Sequence, residues 1–564
     1  MKANNIFIST TAIALVMVIA SVTFYSCKKK PFDGIDRIVG YSFTETVIGV
    51  SFEDAVTEEL VGFNDAAVDV NVSVVGKDAD KIVSITSEKD LTCTDGILML
   101  ALAKGVSSSD DNPIEFTIVG EADGYVTASL PVTISGESSS AVTVSMVSLT
   151  NAPAGVAVKI DKTSLGVGEA GGVTGTSAPI AISSGAATSG SDATTATINI
   201  PTGQMFYTDA TKSERVTDAI EVTMAKFSPT EGAALDNFPG SLSATFTDNT
   251  AAQFITAGLI SLDMKTASGK EVTFFEKPIS VTSGIPAGVT KPDGTALAAG
   301  DTIPVWSHSK TTGLWTYEGN TTVVDNGGKL EATYSITHLS LWNVDYQVEQ
   351  CAKGATVNFT GEVSTGLFNI AVMYGEDGKF AAFSTNMNPI AGTSDRLLKS
   401  SNEQVQIVLM SYSYYIKLFN KAGSRSDMKI SDVTSTNVQD VYGRSGSFNG
   451  CTGSTTIDVK NPNMITLNAT ATCGGGSTVY KPSIPVFLSD VTAGETEPKQ
   501  VGEMKDGKFR SDKLIKGHTY NMYTYYKGEL KPYEFKVNAN GDDVNIKWEF
   551  SQNFCNAFKD YLSQ

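Results

Sequence analysis

Histidine is scarce in this chain, with three residues in 564, and cysteine is limited to six. His308, His338 and His518 lie far apart, and Cys27, Cys93, Cys351, Cys451, Cys473 and Cys555 lack the paired short spacings of a zinc site. No metal and no cofactor is implied. A G-x-S-x-G elbow, a phosphate-binding loop and an H-E-x-x-H pair are missing too, which argues against a hydrolase acting on other molecules. Positive charge is also short: 42 Lys and Arg stand against 61 Asp and Glu, for a net charge of -19. A phosphate-binding surface needs concentrated Lys and Arg, so nucleic acid is excluded as a partner. The acidity instead keeps a long chain soluble and self-repelling. Proline is sparse, at 18 residues against 51 glycines, which suits many hairpins and few rigid linkers. Beyond an apolar run at the N-terminus, convincing helical periodicity is lacking.

What is there in quantity is alternation. In VDVNVSV, Val68, Val70, Val72 and Val74 face one way with polar residues between them, as a half-buried strand requires. The same pattern recurs in AVTVSMVSL (141–149), AIEVTMAKF (219–227) and VNIKWEF (544–550). At DNGG (325–328), Asn326 and Gly327 can take positive φ at low cost, which marks a hairpin turn. From Leu165 to Thr195 the chain is almost entirely Gly, Ala, Ser, Thr and Val, a loop-rich stretch or a weakly specified edge. The expected fold is all-β: several antiparallel β-sandwich domains in tandem, Ig-like and carboxypeptidase-regulatory-like, after a lipoprotein signal peptide. The expected division is a signal peptide (1–26), a lipidated tether (27–36), an Ig-like sandwich (37–145), a central β module (146–346) and two further sandwiches (350–460 and 461–564). The last two carry Tyr clusters within strand-rich halves, YSYYIKLF (412–419) and YNMYTYYKGELKPYEF (520–535), and read as distant repeats.

At the N-terminus, Lys2 precedes a mostly apolar run from Ile6 to Phe24, and Ser26 stands directly before Cys27. This resembles bacterial lipoprotein signals, in which the cysteine is lipidated and becomes the mature N-terminus. The resemblance implies a membrane partner reached through lipidated Cys27 and an outer-membrane location, on the periplasmic face or the cell surface. An uncleaved anchor is the alternative, because the run approaches the roughly 17 to 25 residues that span a bilayer. Ser9, Thr10 and Thr11 break it early. An exported chain can keep disulfides, and Cys351 with Cys451 and Cys473 with Cys555 would each clasp one domain. Connectivity does not follow from the sequence; Cys93 would be left over as a buried thiol.

The central module ends in IPVWSHSKTTGLWTYEGNTTVVDNGGKLEATYSITHLSLWNVD (303–345). The order is an aromatic strand, a turn, Trp315, the pair Glu318-Gly319, a hairpin, then His338-Leu339-Ser340. This resembles the cleavage-site region of GAIN domains in adhesion G-protein-coupled receptors and the ends of self-cleaving UPA-type modules. It is still more similar to a module of Bacteroidota lipoproteins in which P-V-W-S, T-G-x-W and H-x-S-x-W-N recur. Here these are Pro304 to Ser307, Thr312 to Trp315, and His338 to Asn343.

The resemblance to the self-cleaving modules implies that His338 deprotonates Ser340, whose oxygen attacks the Leu339 carbonyl and breaks the Leu339-Ser340 bond. The chemistry is sound, since a hydroxyl is a poor nucleophile until a neighbouring base takes its proton, and histidine is suited to that near neutral pH. The competing reading is structural: residues i and i+2 of a strand share a face, so Tyr334, Ile336, His338 and Ser340 would close a strand with a His-Ser hydrogen bond. His308 and His518 read as surface or cross-strand residues. Tyr520, Tyr523, Tyr525, Tyr526 and Tyr533 could form a sugar-stacking platform, although alternation sends about half of such residues inward. The function expected is a non-enzymatic binding or structural module for a glycan or a cell-surface protein, with self-cleavage as the alternative.

Overall fold

The computed structural model describes residues 47–550, apart from 85–90, 135–139, 166–179, 184–194, 350–354, 362–368, 385–393, 398–403, 423–427, 474–478 and scattered runs of four residues or fewer. The signal peptide, Cys27, Cys351 and Cys555 therefore lie outside the described residues, as does the side chain of Cys473. The chain is all-β, built of β-sandwich units in tandem. Among the described residues, no helix is long and apolar enough to cross a membrane.

The first sandwich is built by alternation. Val47–Asp54 sends Ile48, Val50 and Phe52 into the core, each fully buried. It pairs antiparallel with Ile97–Leu102 and parallel with Ser140–Met146. The facing sheet holds Asn71–Val75, Ile114–Glu121 and Ala128–Ile134. The valines of VDVNVSV all pack on this core, with Val70 fully buried. Cys93 is a buried thiol in the same cluster.

The central unit is one long ladder that folds over itself. It runs Val156–Leu165, Ile220–Phe227, Ala251–Thr266, Leu341–Glu349, Thr302–His308, Trp315–Asp325, Leu330–Ile336, Ile279–Ile285, Thr195–Asn199 and Ile180–Ser183. Trp315–Asp325 belongs to both layers: most of it pairs with Thr302–His308, and its last three residues pair with Leu330–Ile336. The interior between the layers is lined by Ile220, Val222, Met224, Ile260, Leu262, Val281, Ile336, Trp342 and Val344. The weakly specified stretch contributes Ile180–Ser183, an edge strand of this ladder. In the hairpin at 325–328, positive φ falls on Gly327 (67°) and Gly328 (88°) rather than on Asn326, and the Gly328 amide donates to the Asp325 carboxylate at 2.6 Å.

The two C-terminal sandwiches repeat a feature of the first. Ala355–Gly361 lies parallel to Ser454–Val459, and Ile465–Cys473 lies parallel to Asp543–Phe550, so each unit closes by pairing an early strand with a late one. Cys451 is disulfide-bonded. One expectation needs correction: YSYYIKLF is not a strand but the start of a helix, Tyr412–Ala422. Tyr415, Leu418, Phe419 and Ala422 recur at i, i+3, i+4 and i+7 and pack on one cluster, which is helical spacing.

The sandwiches dock on one another. The first sandwich buries Leu60, Ile97 and Met99 in the same cluster as Ile465, Leu467, Val486 and Leu488 of the last one. It also contributes Val126 and Val147 to a cluster with Phe227, Phe238, Trp306 and Trp315 of the central unit. One small domain thus holds both the middle and the end of the chain.

Candidate functional site

The signature residues of 303–345 gather on three adjacent strands of the central unit. Thr302–His308 pairs with Leu341–Glu349 on one side and Trp315–Asp325 on the other, so Trp306 and Ser307 face Asn343 and Trp342 in register. The Trp306 indole N–H donates to the Asp345 carbonyl at 3.1 Å, and its ring lies 4.8 Å from Phe246 and 5.3 Å from Tyr317. Ser307 donates to the Glu318 carboxylate at 2.6 Å. Trp315 is fully buried, edge-on to Phe254 at 5.0 Å and to the His308 ring at 5.0 Å. These contacts account for the aromatic positions as packing.

The turn before Trp315 is shaped to meet another domain. Gly313 has φ of 68°, and a Cβ there would lie 2.7 Å from Thr117 and 2.9 Å from Val75, both in the first sandwich. Only glycine combines that backbone angle with so close an approach. Lys310, in the same turn, bonds Asp263 at 3.0 Å, Glu271 at 3.2 Å and, across the joint, Glu121 at 3.3 Å. Burial alone would lower its ammonium, but the three carboxylates raise it. His308, expected at a surface or across a strand, lies across the ladder from Trp315 and is buried in the joint. Its Nε2 lies 3.3 Å from the Ser129 hydroxyl, and burial holds the imidazole down at about 4, so it is neutral at pH 7.

His338, Leu339 and Ser340 do not continue a strand. The strand Leu330–Ile336 ends two residues before His338, and the next begins at Leu341, so all three sit in a short connection. The expected strand-end alternation therefore stops at Ile336. Ser340 is buried and donates its hydroxyl to the His308 carbonyl, while its own carbonyl accepts the Leu262 amide at 3.3 Å. The His338 ring lies 4.9 Å from Trp342, with Nδ1 at 3.4 Å from the Thr337 hydroxyl. Burial lowers the His338 imidazole, with Glu318 opposing it. Leu339 is half-buried against the interior. No His338-Ser340 hydrogen bond is present, and the Ser340 hydroxyl is committed to the His308 carbonyl instead.

Behind the signature lies a buried polar set. Asn343 and Asp345 are fully buried, with the Asn343 amide donating to the Asp345 carboxyl and the Thr256 hydroxyl donating to Asn343 at 3.1 Å. Burial pushes the Asp345 carboxyl well above the usual carboxylate range, against the hydrogen bonds from Thr256 and Asn343 that favour its charge. Lys226 is also fully buried and donates to the Ser283 hydroxyl. It shares its face with Ile220, Val222 and Met224, inside the sandwich, whereas Asn343 and Asp345 alternate with the inward Trp342 and Val344 and take the opposite face. The bulged strand around Gly258 separates them, and they form no ion pair. Burial depresses the Lys226 amine to about 7, with Asp345 acting weakly the other way.

No family model matches the chain, and no curated protein matches it. Among solved structures it is similar to a streptococcal ancillary pilin, at 11% identity and a TM-score of 0.12, over 45% of this chain and 92% of that one. It is also similar to the fimbrial anchor protein Mfa2 from Porphyromonas gingivalis, at 9% identity and a TM-score of 0.13, over 35% of this chain and 90% of that one. The Bacillus anthracis TIE protein is a third, at 9% identity and a TM-score of 0.12, over 71% of this chain and 76% of that one. Scores this low leave the reading of this chain to its own residues.

The remaining expectations concern the last sandwich. Tyr520 is buried and stacks on Phe535 at 5.7 Å, and its hydroxyl accepts the Ile515 amide. The Tyr523 hydroxyl is bonded to Ser489 and to the Thr496 carbonyl. Tyr533 is exposed, and the side chains of Tyr525 and Tyr526 lie outside the described residues. The tyrosines that can be placed do not form one flat platform. His518 bonds Asp490 at 2.7 Å, and among the described residues no group of three metal-binding side chains converges. Lys226 went unnoticed in the sequence, although its signal was there: in AIEVTMAKF it occupies the inward position of the alternation.

Proposed function

We propose that this chain is an extracytoplasmic lipoprotein, tethered to the outer membrane through lipidated Cys27, whose docked sandwiches act as a non-enzymatic structural or adhesive module. The observation that carries the reading is the use of the signature residues: Gly313, His308, Trp315 and Ser340 are consumed in packing, three of them buried and Gly313 seated on the first sandwich. A site for chemistry on another molecule would instead hold its base and nucleophile open to a cleft. Docking of the first sandwich on both the central and last units supports a body that presents fixed outer faces to a glycan or a protein of another surface. Three lysines after Cys27 would sit near anionic headgroups. A single acyl chain binds membranes only marginally, so more than one is required for firm anchoring. The test is radiolabelled fatty-acid incorporation: label is expected in the unaltered chain and lost in Cys27→Ala. Label that persists in the variant refutes the anchor.

A further inference from the structure

The first sandwich is held at two joints, and each carries one ionisable side chain, His308 fully buried and Glu53 half-buried. On the central unit, His308 faces Ser129, with Gly240 and Trp315 packed on its ring. The Gly240 amide donates across this joint to the Ser129 carbonyl at 2.7 Å, and Ser145 donates to Asn237. None of the groups touching the imidazole is ionisable, and the charges of this joint lie in the Lys310 cluster with Glu121, Asp263 and Glu271, and in the Lys265-Asp123 pair. On the last unit, Glu53 accepts from Ser51 at 2.8 Å, and Ser51 also reaches the buried Gln500 of the last sandwich at 3.0 Å. Glu53 faces Glu58 of its own sandwich and Lys499 and Lys513 of the last, while Glu59 faces Glu497 across the joint.

We propose that the first sandwich is a pH-selected pivot, released from the central unit in acid through His308 and loosened from the last unit as pH rises to neutral through Glu53. A charge on His308 would be formed against a neutral hydroxyl, the Trp315 ring and the Gly240 backbone, with the Gly313 backbone favouring it less than burial opposes it and no carboxylate in contact to receive it. A charge on Glu53 would be formed where Glu58 opposes it and burial outweighs the two lysines. The directions follow from linkage. The imidazole is depressed from 6.5 to about 4, so the stability that it lends is present above pH 6.5 and lost as pH falls through about 4. The carboxyl is raised from 4.5 to about 7, so its contribution is present below pH 4.5 and lost as pH rises through about 7. The two joints therefore respond in opposite senses, and between pH 4.5 and 6.5 each keeps only part of its contribution, the central joint more toward neutral pH and the last joint more toward acid.

The experiment uses the full chain and two reporters. Exchange of the Gly240 amide, corrected for the intrinsic rate, reads the central joint. Hydroxyl-radical oxidation of Met99, buried in the last joint, reads the other, with the core residue Met224 as the folding control. Protection at Gly240 is expected to fall about 10- to 100-fold between pH 7 and 4.5, and oxidation of Met99 to rise about tenfold between pH 5 and 8, while Met224 stays protected. His308→Gln should flatten the first profile alone and Glu53→Gln the second alone. A flat profile in the unaltered chain overturns the pivot without recourse to any variant, and so does a profile that its own substitution leaves unchanged in a folded protein.

Discussion

Replacing Lys226 by Met should stabilise the central unit at neutral pH and cease to do so in base. The amine is fully buried, and its value falls from 10.5 in the unfolded chain to about 7 in the fold. The difference, 10.5 minus about 7, sets a ceiling of about 5 kcal/mol on the cost of keeping this lysine inside, of which about 4 kcal/mol applies at pH 7. Methionine fills a similar volume without charge, but it leaves the Ser283 hydroxyl without its donor, a loss of about 1 to 2 kcal/mol. The net gain is then about 2 to 3 kcal/mol at pH 7, or a rise in melting temperature of about 5 to 10 °C for a unit of this size. The sign follows from proton counting: between pH 7 and 10.5 the unfolded chain holds more protons at this site, so the native lysine protein gains stability as pH rises. Paired thermal unfolding curves of the two proteins at pH 7, 8.5 and 10 should therefore converge and cross. A variant no more stable than the parent at pH 7, or a difference that ignores pH, refutes the claim that burial depresses this amine.

Other outcomes follow from the joint and the signature. Gly313→Ala forces a Cβ against Thr117 and a left-handed backbone, and should cost about 2 to 3 kcal/mol, read as lost Gly240 protection while the Met224 region remains closed. The full chain should run as one band under denaturing conditions, with no fragment beginning at Ser340, since that hydroxyl is committed to the His308 carbonyl. Ser340→Ala should accordingly leave the band pattern unchanged and lower stability by about 1 to 3 kcal/mol, because a buried carbonyl loses its partner.

Much of the fold was legible because alternation is a local signal. The valines at 68 to 74 and the inward series Ile220, Val222, Met224 declare their strands without reference to anything distant. The helix at Tyr412–Ala422 was hidden because its first eight residues are rich in tyrosine, which favours strands, and they carry a single i, i+3, i+4 set, Tyr415, Leu418 and Phe419, that is extended to i+7 only by Ala422. The joint was not legible at all. His308 and Ser129 are 179 positions apart, and nothing near either one announces the other. For the same reason the spacing of His338 and Ser340 suggested a reacting pair, when the partner of Ser340 is a carbonyl 32 positions earlier.

The parallel closure of three of the four sandwiches has a mechanical consequence. Where two neighbouring strands run the same way, a pull on the start of the early one and the end of the late one draws them past each other along their length. All the bonds of that ladder are then strained together instead of being opened one after another like a zip. The ladders concerned run over Ile48 to Asp54, Thr356 to Gly361 and Thr466 to Cys473. A chain fastened at one end and dragged by flow or by a bound partner at the other would meet its greatest resistance at those three clamps. Force-extension traces of the full chain should show three tall rupture peaks, and weak, sequential opening of these units would count against shear geometry.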